Sequence, residues 1–146
     1  MKEAISEAKK GILNCEGGPF GAVIVKDDKI IARGHNQVVK NNDPTCHGEI
    51  MAIREACKQL GTFDLSGCEI YTTGYPCPMC LGAIRWANIK TIYYGCNIDD
   101  TETIGFRDKQ FYEDSECNAL TIQEDDREAC LALYKEYSNI DNKKQY

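Results

Sequence analysis

The feature that most constrains this chain is a pair of short segments, His47-Gly48-Glu49 and Pro76-Cys77-Pro78-Met79-Cys80, which carry candidate metal ligands about thirty residues apart. Ligands so separated meet only where a tertiary fold brings both segments to one point. Cys77 and Cys80 stand at i and i+3, a spacing that shares one helix face, and Pro78 suits the first turn of such a helix. Helix N-termini favour thiolates through their unpaired N–H groups and the macrodipole. His47 falls near the start of a second expected helix, residues 45–60. There Ile50, Met51, Ile53, Ala56, Cys57 and Leu60 recur at helical spacing, Asp43-Pro44 or Thr45 supplies the start, and Gly61 takes the C-terminal cap. Inside a helix His47 and Glu49 would point to nearly opposite sides; at its N-terminus both can project off the end toward a shared site.

The remaining pattern supplies the frame. Ala4, Ile5, Ala8, Ile12 and Leu13 predict an amphipathic helix over 2–13, which Gly17-Gly18-Pro19 separates from the first strand. Residues 20–25 and 30–33 read as a hairpin around Lys26-Asp27-Asp28-Lys29, and 68–73 and 90–94 as two further strands flanking a helix over 78–87. The polar segment 96–121 has no clear period, and 123–137 reads as a helix with Ala129, Leu131, Ala132 and Leu133 as apolar members. Hairpin, helix, strand, helix and strand in this order predict an α/β sandwich, one domain over 1–146, with helices covering a mixed sheet.

Composition narrows the function. Apolar residues make up 42% and charged residues 27% of the 146 residues, enough to bury a core without disulfide staples. A net charge of −6 argues against a nucleic-acid partner, because nonspecific affinity for phosphates comes from clustered Lys and Arg; a small uncharged substrate fits better. The acidic N-terminal residues Glu3 and Glu7 do not suit a secretory signal, no stretch is long enough to span a membrane, and nine cysteines are an odd number. A cytoplasmic protein with reduced thiols is expected. Cys15, Cys46, Cys57, Cys68, Cys96, Cys117 and Cys130 read as small buried hydrophobes or surface thiols, and His35 as a loop residue, not a ligand.

His47, Cys77 and Cys80 give three protein ligands, which leaves the fourth tetrahedral position of zinc open to water; a closed structural site would use four. Zinc brings the pKa of such a water down to about 7, so hydroxide becomes the nucleophile and Glu49 can carry its proton to a substrate. A lone Cys-x-x-Cys is as compatible with a redox pair or a structural zinc, and a first-turn Glu with a solvated acid. The five residues together are far more specific than any one.

His-x-Glu followed by Pro-Cys-x-x-Cys resembles the signature of the cytidine deaminase-like superfamily of zinc deaminases. Within it the chain is most similar to the bacterial guanine deaminases. The likeness is carried by Gly17-Gly18-Pro19-Phe20-Gly21-Ala22-Val23-Ile24-Val25, Asn42-Asp43-Pro44-Thr45, Cys77-Pro78-Met79-Cys80-Leu81-Gly82-Ala83-Ile84, Trp86-Ala87, Gly105-Phe106 with Asp108, and the terminal Lys143-Lys144-Gln145-Tyr146. The resemblance implies a three-layer α/β/α sandwich with a five-stranded mixed sheet, one Zn2+ per subunit, and hydrolysis of guanine to xanthine and ammonia with Glu49 as proton shuttle. It further implies that Asn36 and Asp108 contact the base edge and that Phe20 and Trp86 line the pocket. It implies a homodimer in which residues from about 96 onward cross over, so that Tyr146 closes the neighbouring site.

Asn36 both donates and accepts, and a carboxylate at Asp108 accepts from ring N–H groups; aromatic faces stack on a purine. Taken alone, Phe20 reads as core, Trp86 as packing and Tyr146 as a loose end. The chain departs from the pattern with Tyr75 where relatives usually carry Glu, with Gly48 in place of the commoner Ala, and over 107–120. Competing readings are a deaminase of another aminated base or nucleoside (cytosine, guanosine, a triazine), a tRNA adenosine deaminase, and a noncatalytic zinc-binding interaction module.

Overall fold

A computed structural model describes residues 1–114, 120–121, 123–139 and 141. The chain forms two compact units, 1–113 and 114–146. The first contains α1 (Lys2–Leu13), β1 (Gly21–Lys26), β2 (Lys29–His35), α2 (Val38–Asn41), α3 (Gly48–Leu60), β3 (Glu69–Gly74), α4 (Pro78–Trp86), β4 (Thr91–Cys96), α5 (Ile98–Thr103) and α6 (Asp108–Glu113). The second contains α7 (Arg127–Ser138), started by the Asp126 carboxylate accepting from the Ala129 N–H at 3.3 Å. Among the described residues no helix is long and apolar enough to cross a membrane.

The sheet order is β2-β1-β3-β4, with β1 antiparallel to β2 and β3, and β3 parallel to β4. Asp27 and Asp28, both at positive φ, make the tight β1–β2 turn, whose backbone twist matches that of the strands it joins. A parallel pair needs a crossover, and α4 supplies it. Alternation along the strands then sorts the layers. Ala22 and Ile24 of β1, Ala32 of β2 and Ile70 of β3 share a core with Ala52 and Ala56 of α3 and Ile84 of α4. The opposite face of β1 meets α1, where Gly21 lies against the backbone of Ala4 and Ala8. The α/β sandwich is therefore as expected from the pattern of elements.

The five-stranded sheet is corrected to four strands among the described residues. Directly after β4, Asn97 and Asp100 form a reciprocal capping box. The Asp100 N–H donates to Asn97 Oδ1 and the Asn97 N–H to Asp100 Oδ2, both at 2.9 Å. Two orphan donors are satisfied in this way and the chain turns into α5. Gly105 at φ +88 then leads to α6.

One boundary shift matters for function. Asp43 does not cap a helix starting at 45; its Oδ1 accepts from the Thr45 N–H at 2.8 Å and from Thr45 Oγ1 at 2.7 Å, closing a turn. The helix begins three residues later, with His47 in extended conformation (φ −69, ψ 157) at the N-cap. Its seat is set by Gly34 of β2, where a Cβ would fall 2.4 Å from Ala52 N and 2.6 Å from Gly48 O. Gly34→Ala must therefore push the first turn of α3 off the sheet. We expect a loss of about 1–3 kcal/mol of stability and a lower metal content, measured by denaturant unfolding and metal analysis; unchanged metal loading would show that α3 does not need this approach.

Candidate metal centre and active site

Two helix N-termini converge on one point. His47 is the N-cap of α3 and Glu49 lies in its first turn; Cys77 is the N-cap of α4, again extended (φ −65, ψ 167), with Pro78 at the first helical position and Cys80 in the first turn. An N-cap residue has left the helical path, so its side chain points off the end. His47 Nδ1 and Cys77 Sγ lie 3.6 Å apart, and the ligand atoms of His47, Cys77 and Cys80 all fall within 4.8 Å of one another. Tetrahedral zinc with ordinary bond lengths separates a nitrogen and a sulfur ligand by about 3.6 Å and two sulfurs by about 3.8 Å. The donor set and its spacing fit zinc with one position left open.

The electrostatics are those of a site ready for a cation. Hydrogen bonding from the Cys80 thiol outweighs burial and, with His47 and the Cys80 N–H, lowers Cys77 to about 4. The same Cys77 sulfur raises His47, against the opposing effect of burial. Cys80, donating to Cys77 and buried beside Glu49, is pushed up and stays a thiol. A dication at this point would stabilise both thiolates and displace these protons.

Glu49 is 5% exposed. Its Oε1 accepts from Thr72 Oγ1 at 3.3 Å and its Oε2 from the Cys80 thiol at 3.5 Å. Burial raises its pKa above the ordinary carboxylate value, with the negative charge of Cys77 adding to the shift. A carboxyl held dry beside an open metal position, with increased proton affinity, is suited to receive a proton and release it again.

Three further expected residues lie on segments adjoining this centre. Asn36 is buried at the end of β2; its N–H donates to the Phe20 carbonyl at 2.8 Å and its Oδ1 accepts from the Val38 N–H at 3.2 Å. A Cβ on Gly17 would lie 2.1 Å from that Oδ1, so the glycine makes room for the amide. The Phe20 ring stands edge-on to Phe106, centroids 4.8 Å apart at 83°. Asp108, in the first turn of α6, is raised by burial and by the negative charge of Cys77, with His47 acting the other way. Four residues before Tyr112, whose hydroxyl donates to the Pro76 carbonyl, Asp108 lies on the side of α6 that meets the metal loop.

Two expected residues are not brought there. Trp86 is 66% exposed on the last turn of α4, about 9 Å along the helix from Cys80 at 1.5 Å per residue. Tyr146 lies outside the described residues. His35 ends β2 instead of lying in a loop, and its ring sits between Glu7 at 3.3 Å and Glu16 at 2.7 Å, apart from the metal ligands. Cys46 donates to Asp43 Oδ2 at 3.2 Å and is not among the clustered ligands.

Sequence reasoning missed Thr72, Gly17 and Tyr112. Thr72 had a signal: a Thr on the inward face of β3, next after Ile70, needs a polar partner when buried. Tyr112, whose hydroxyl donates to the Pro76 carbonyl, had none, because that contact joins segments far apart in the chain.

The model of the cytidine and deoxycytidylate deaminase zinc-binding region matches residues 1–96. A guanine deaminase of Bacillus subtilis is 43% identical over 100% of this chain and 96% of its own length. The X-ray structure of guanine deaminase from that organism superposes with a TM-score of 0.93 at 43% identity, covering 99% and 95% of the two chains. A tRNA-specific adenosine deaminase of Aquifex aeolicus is 38% identical over 82% of this chain and 87% of its own. With its ligand triad, its buried acid and this extent of likeness, the chain belongs to the cytidine and deoxycytidylate deaminase family of zinc-binding proteins.

Proposed function

We propose that this chain is a zinc-dependent hydrolase that converts guanine and water to xanthine and ammonia in the cytoplasm. The observation that carries the reading is that the likeness to the Bacillus subtilis guanine deaminase runs the whole chain, past residue 96 where the zinc-binding region ends, and so includes α6 and Asp108. The tRNA-specific relative from Aquifex aeolicus matches a smaller share, and a net charge of −6 opposes a polyanionic substrate. The described cysteines are all free thiols, in keeping with a reducing compartment.

His47, Cys77 and Cys80 would hold zinc, which when bound would acidify a water and act as a Lewis acid. The rest is the work of the chain. Glu49, oriented by Thr72, takes one proton of the attacking water and delivers it to a ring nitrogen, then takes the remaining hydroxyl proton from the tetrahedral adduct and passes it to the departing amine, which leaves as ammonia. Asn36 offers a donor and an acceptor to the base edge and Asp108 accepts from ring N–H groups. Phe20 packs against one side of the base, and one Zn2+ serves each subunit.

We also propose a homodimer in which the C-terminal part crosses to a second copy, bringing Tyr146 to its site; the crossing starts after α6 and not at about residue 96, because residues up to 113 belong to the first unit and Tyr112 bonds Pro76 of its own chain. In support, α7 has no buried residue and leaves Leu131, Leu133 and Tyr134 exposed, apolar surface of the kind a second copy would cover.

Purified zinc-loaded protein should turn guanine into xanthine with one ammonia each; turnover of cytosine, guanosine, a triazine or tRNA with guanine untouched would move the substrate, and no ammonia from any of them would favour an interaction module. Glu49→Gln should lower kcat by about a hundredfold or more while zinc content stays at wild-type level, whereas Cys77→Ala should lose the metal itself; equal zinc loss in both would contradict separate roles. Sedimentation should give a dimer, and a fully active monomer would remove the crossover.

A further inference from the structure

We propose that Tyr112 is a positioning residue for substrate selection: its hydroxyl, bonded to the Pro76 carbonyl, pins α6 to the metal loop and thereby sets where Asp108 stands over the ligand cluster. The inference rests on the reading of Asp108 as the acid that contacts the base.

The helix that carries Asp108 is poorly held by anything else. α6 is six residues long and has no buried residue, and a helix so short does not persist without tertiary anchors. Lys109 reaches back to Asp99 and Glu102 of α5 at 3.0 Å each, but pairs this exposed are screened by solvent and contribute little. Tyr112 is different. It is one helical turn beyond Asp108, at i+4, so both side chains leave α6 on the same face. Its acceptor is the carbonyl of a fully buried proline in the peptide immediately before Cys77.

The phenol is built into the loop as well as bonded to it. The Tyr75 ring meets Tyr112 at 6.0 Å and 64° and Tyr94 of β4 at 5.0 Å and 80°, while the Tyr75 N–H donates to the Cys96 carbonyl at 2.8 Å. Tyr75 thus joins β4, the metal loop and α6. A phenol is protonated at neutral pH and donates. Bonded to the carbonyl of buried Pro76, it gives α6 one defined distance from Cys77. Without that bond the helix keeps its exposed ion pairs and its aromatic contact but loses its fixed height above the site.

The experiment uses zinc-loaded full-length wild type, Tyr112→Phe, Asp108→Asn and the double variant. Tyr112→Phe retains the ring against Tyr75 and removes only the hydroxyl. We expect unchanged zinc content, hydrogen exchange of the amides of 108–113 accelerated about fivefold with α3 unaffected, and KM for guanine raised about fivefold with kcat nearly constant, the factor set by one ordinary hydrogen bond. Because Tyr112 acts through Asp108, adding Tyr112→Phe to Asp108→Asn should change kcat/KM by less than about twofold. Unaltered exchange in α6, or effects on kcat/KM that simply multiply, would overturn the proposal. So would global loss of exchange protection in Tyr112→Phe, which would make the tyrosine a general stability element. If wild type leaves guanine untouched, it is the guanine reading that fails; the exchange measurement still decides the tether, and the cycle is run on whichever base is turned over.

Discussion

The structure depends on one constraint: two helices, α3 and α4, must end at the same point with their N-termini facing it. Residues without large side chains meet this requirement at the sheet. Ala22, Ala32, Ala52 and Ala56 fill the interface between the strands and α3, and Gly34 and Gly48 allow backbone to touch backbone at its first turn. Larger residues at these places would still make a core, but a thicker one, and the separation of His47 from Cys77 would grow with it. The geometry of the ligands is thus inherited from the packing of the layers beneath them.

Once the termini converge, the local chemistry is set by burial. Cys77 gains a negative charge because Cys80 and His47 both donate to it. Glu49 is denied water and so holds a proton more firmly than an exposed carboxyl would. The two effects are coupled through Cys80, whose thiol touches both Cys77 and Glu49. Metal ligation and proton transfer therefore share a dry pocket in which each charge is worth more than at the surface. Thr72 completes it from β3, satisfying the carboxylate oxygen that Cys80 does not reach.

Around this centre lies a periphery drawn from two different parts of the fold. Phe20, Asn36 and Gly17 belong to the β1–β2 side and are set by backbone hydrogen bonds and close approach. Asp108 belongs to α6, which reaches the site only through side chains. In a family that includes both a guanine deaminase and a tRNA-specific adenosine deaminase, the proposed role of Asp108 would put recognition on a short helix and leave the catalytic floor on the sheet, separating the chemistry from the choice of substrate. The floor lies inside the matched zinc-binding region and α6 outside it.

Much of this was legible in the residues. The elements up to residue 94, except the single turn α2, were readable because each has a period, a breaker or a cap of its own: Gly61 at φ +65 ends α3 as its position foretold, and the Asp27-Asp28 turn closes the hairpin. The metal ligands were readable because zinc dictates donor type and number. The four strands were present in the pattern, and the fifth was not. By itself the sequence determined which residues could bind a metal, which acid sits beside them and which segments bury an apolar face. Only the tertiary structure decided that His47 rather than Thr45 starts α3, that Asn97 and Asp100 turn the chain into a helix, that Thr72 meets Glu49, and that Tyr112 grips Pro76. The physical reason is range: periodicity and capping act over a few residues, whereas these contacts join positions remote in the chain or depend on which of several competing local hydrogen bonds the packed fold selects.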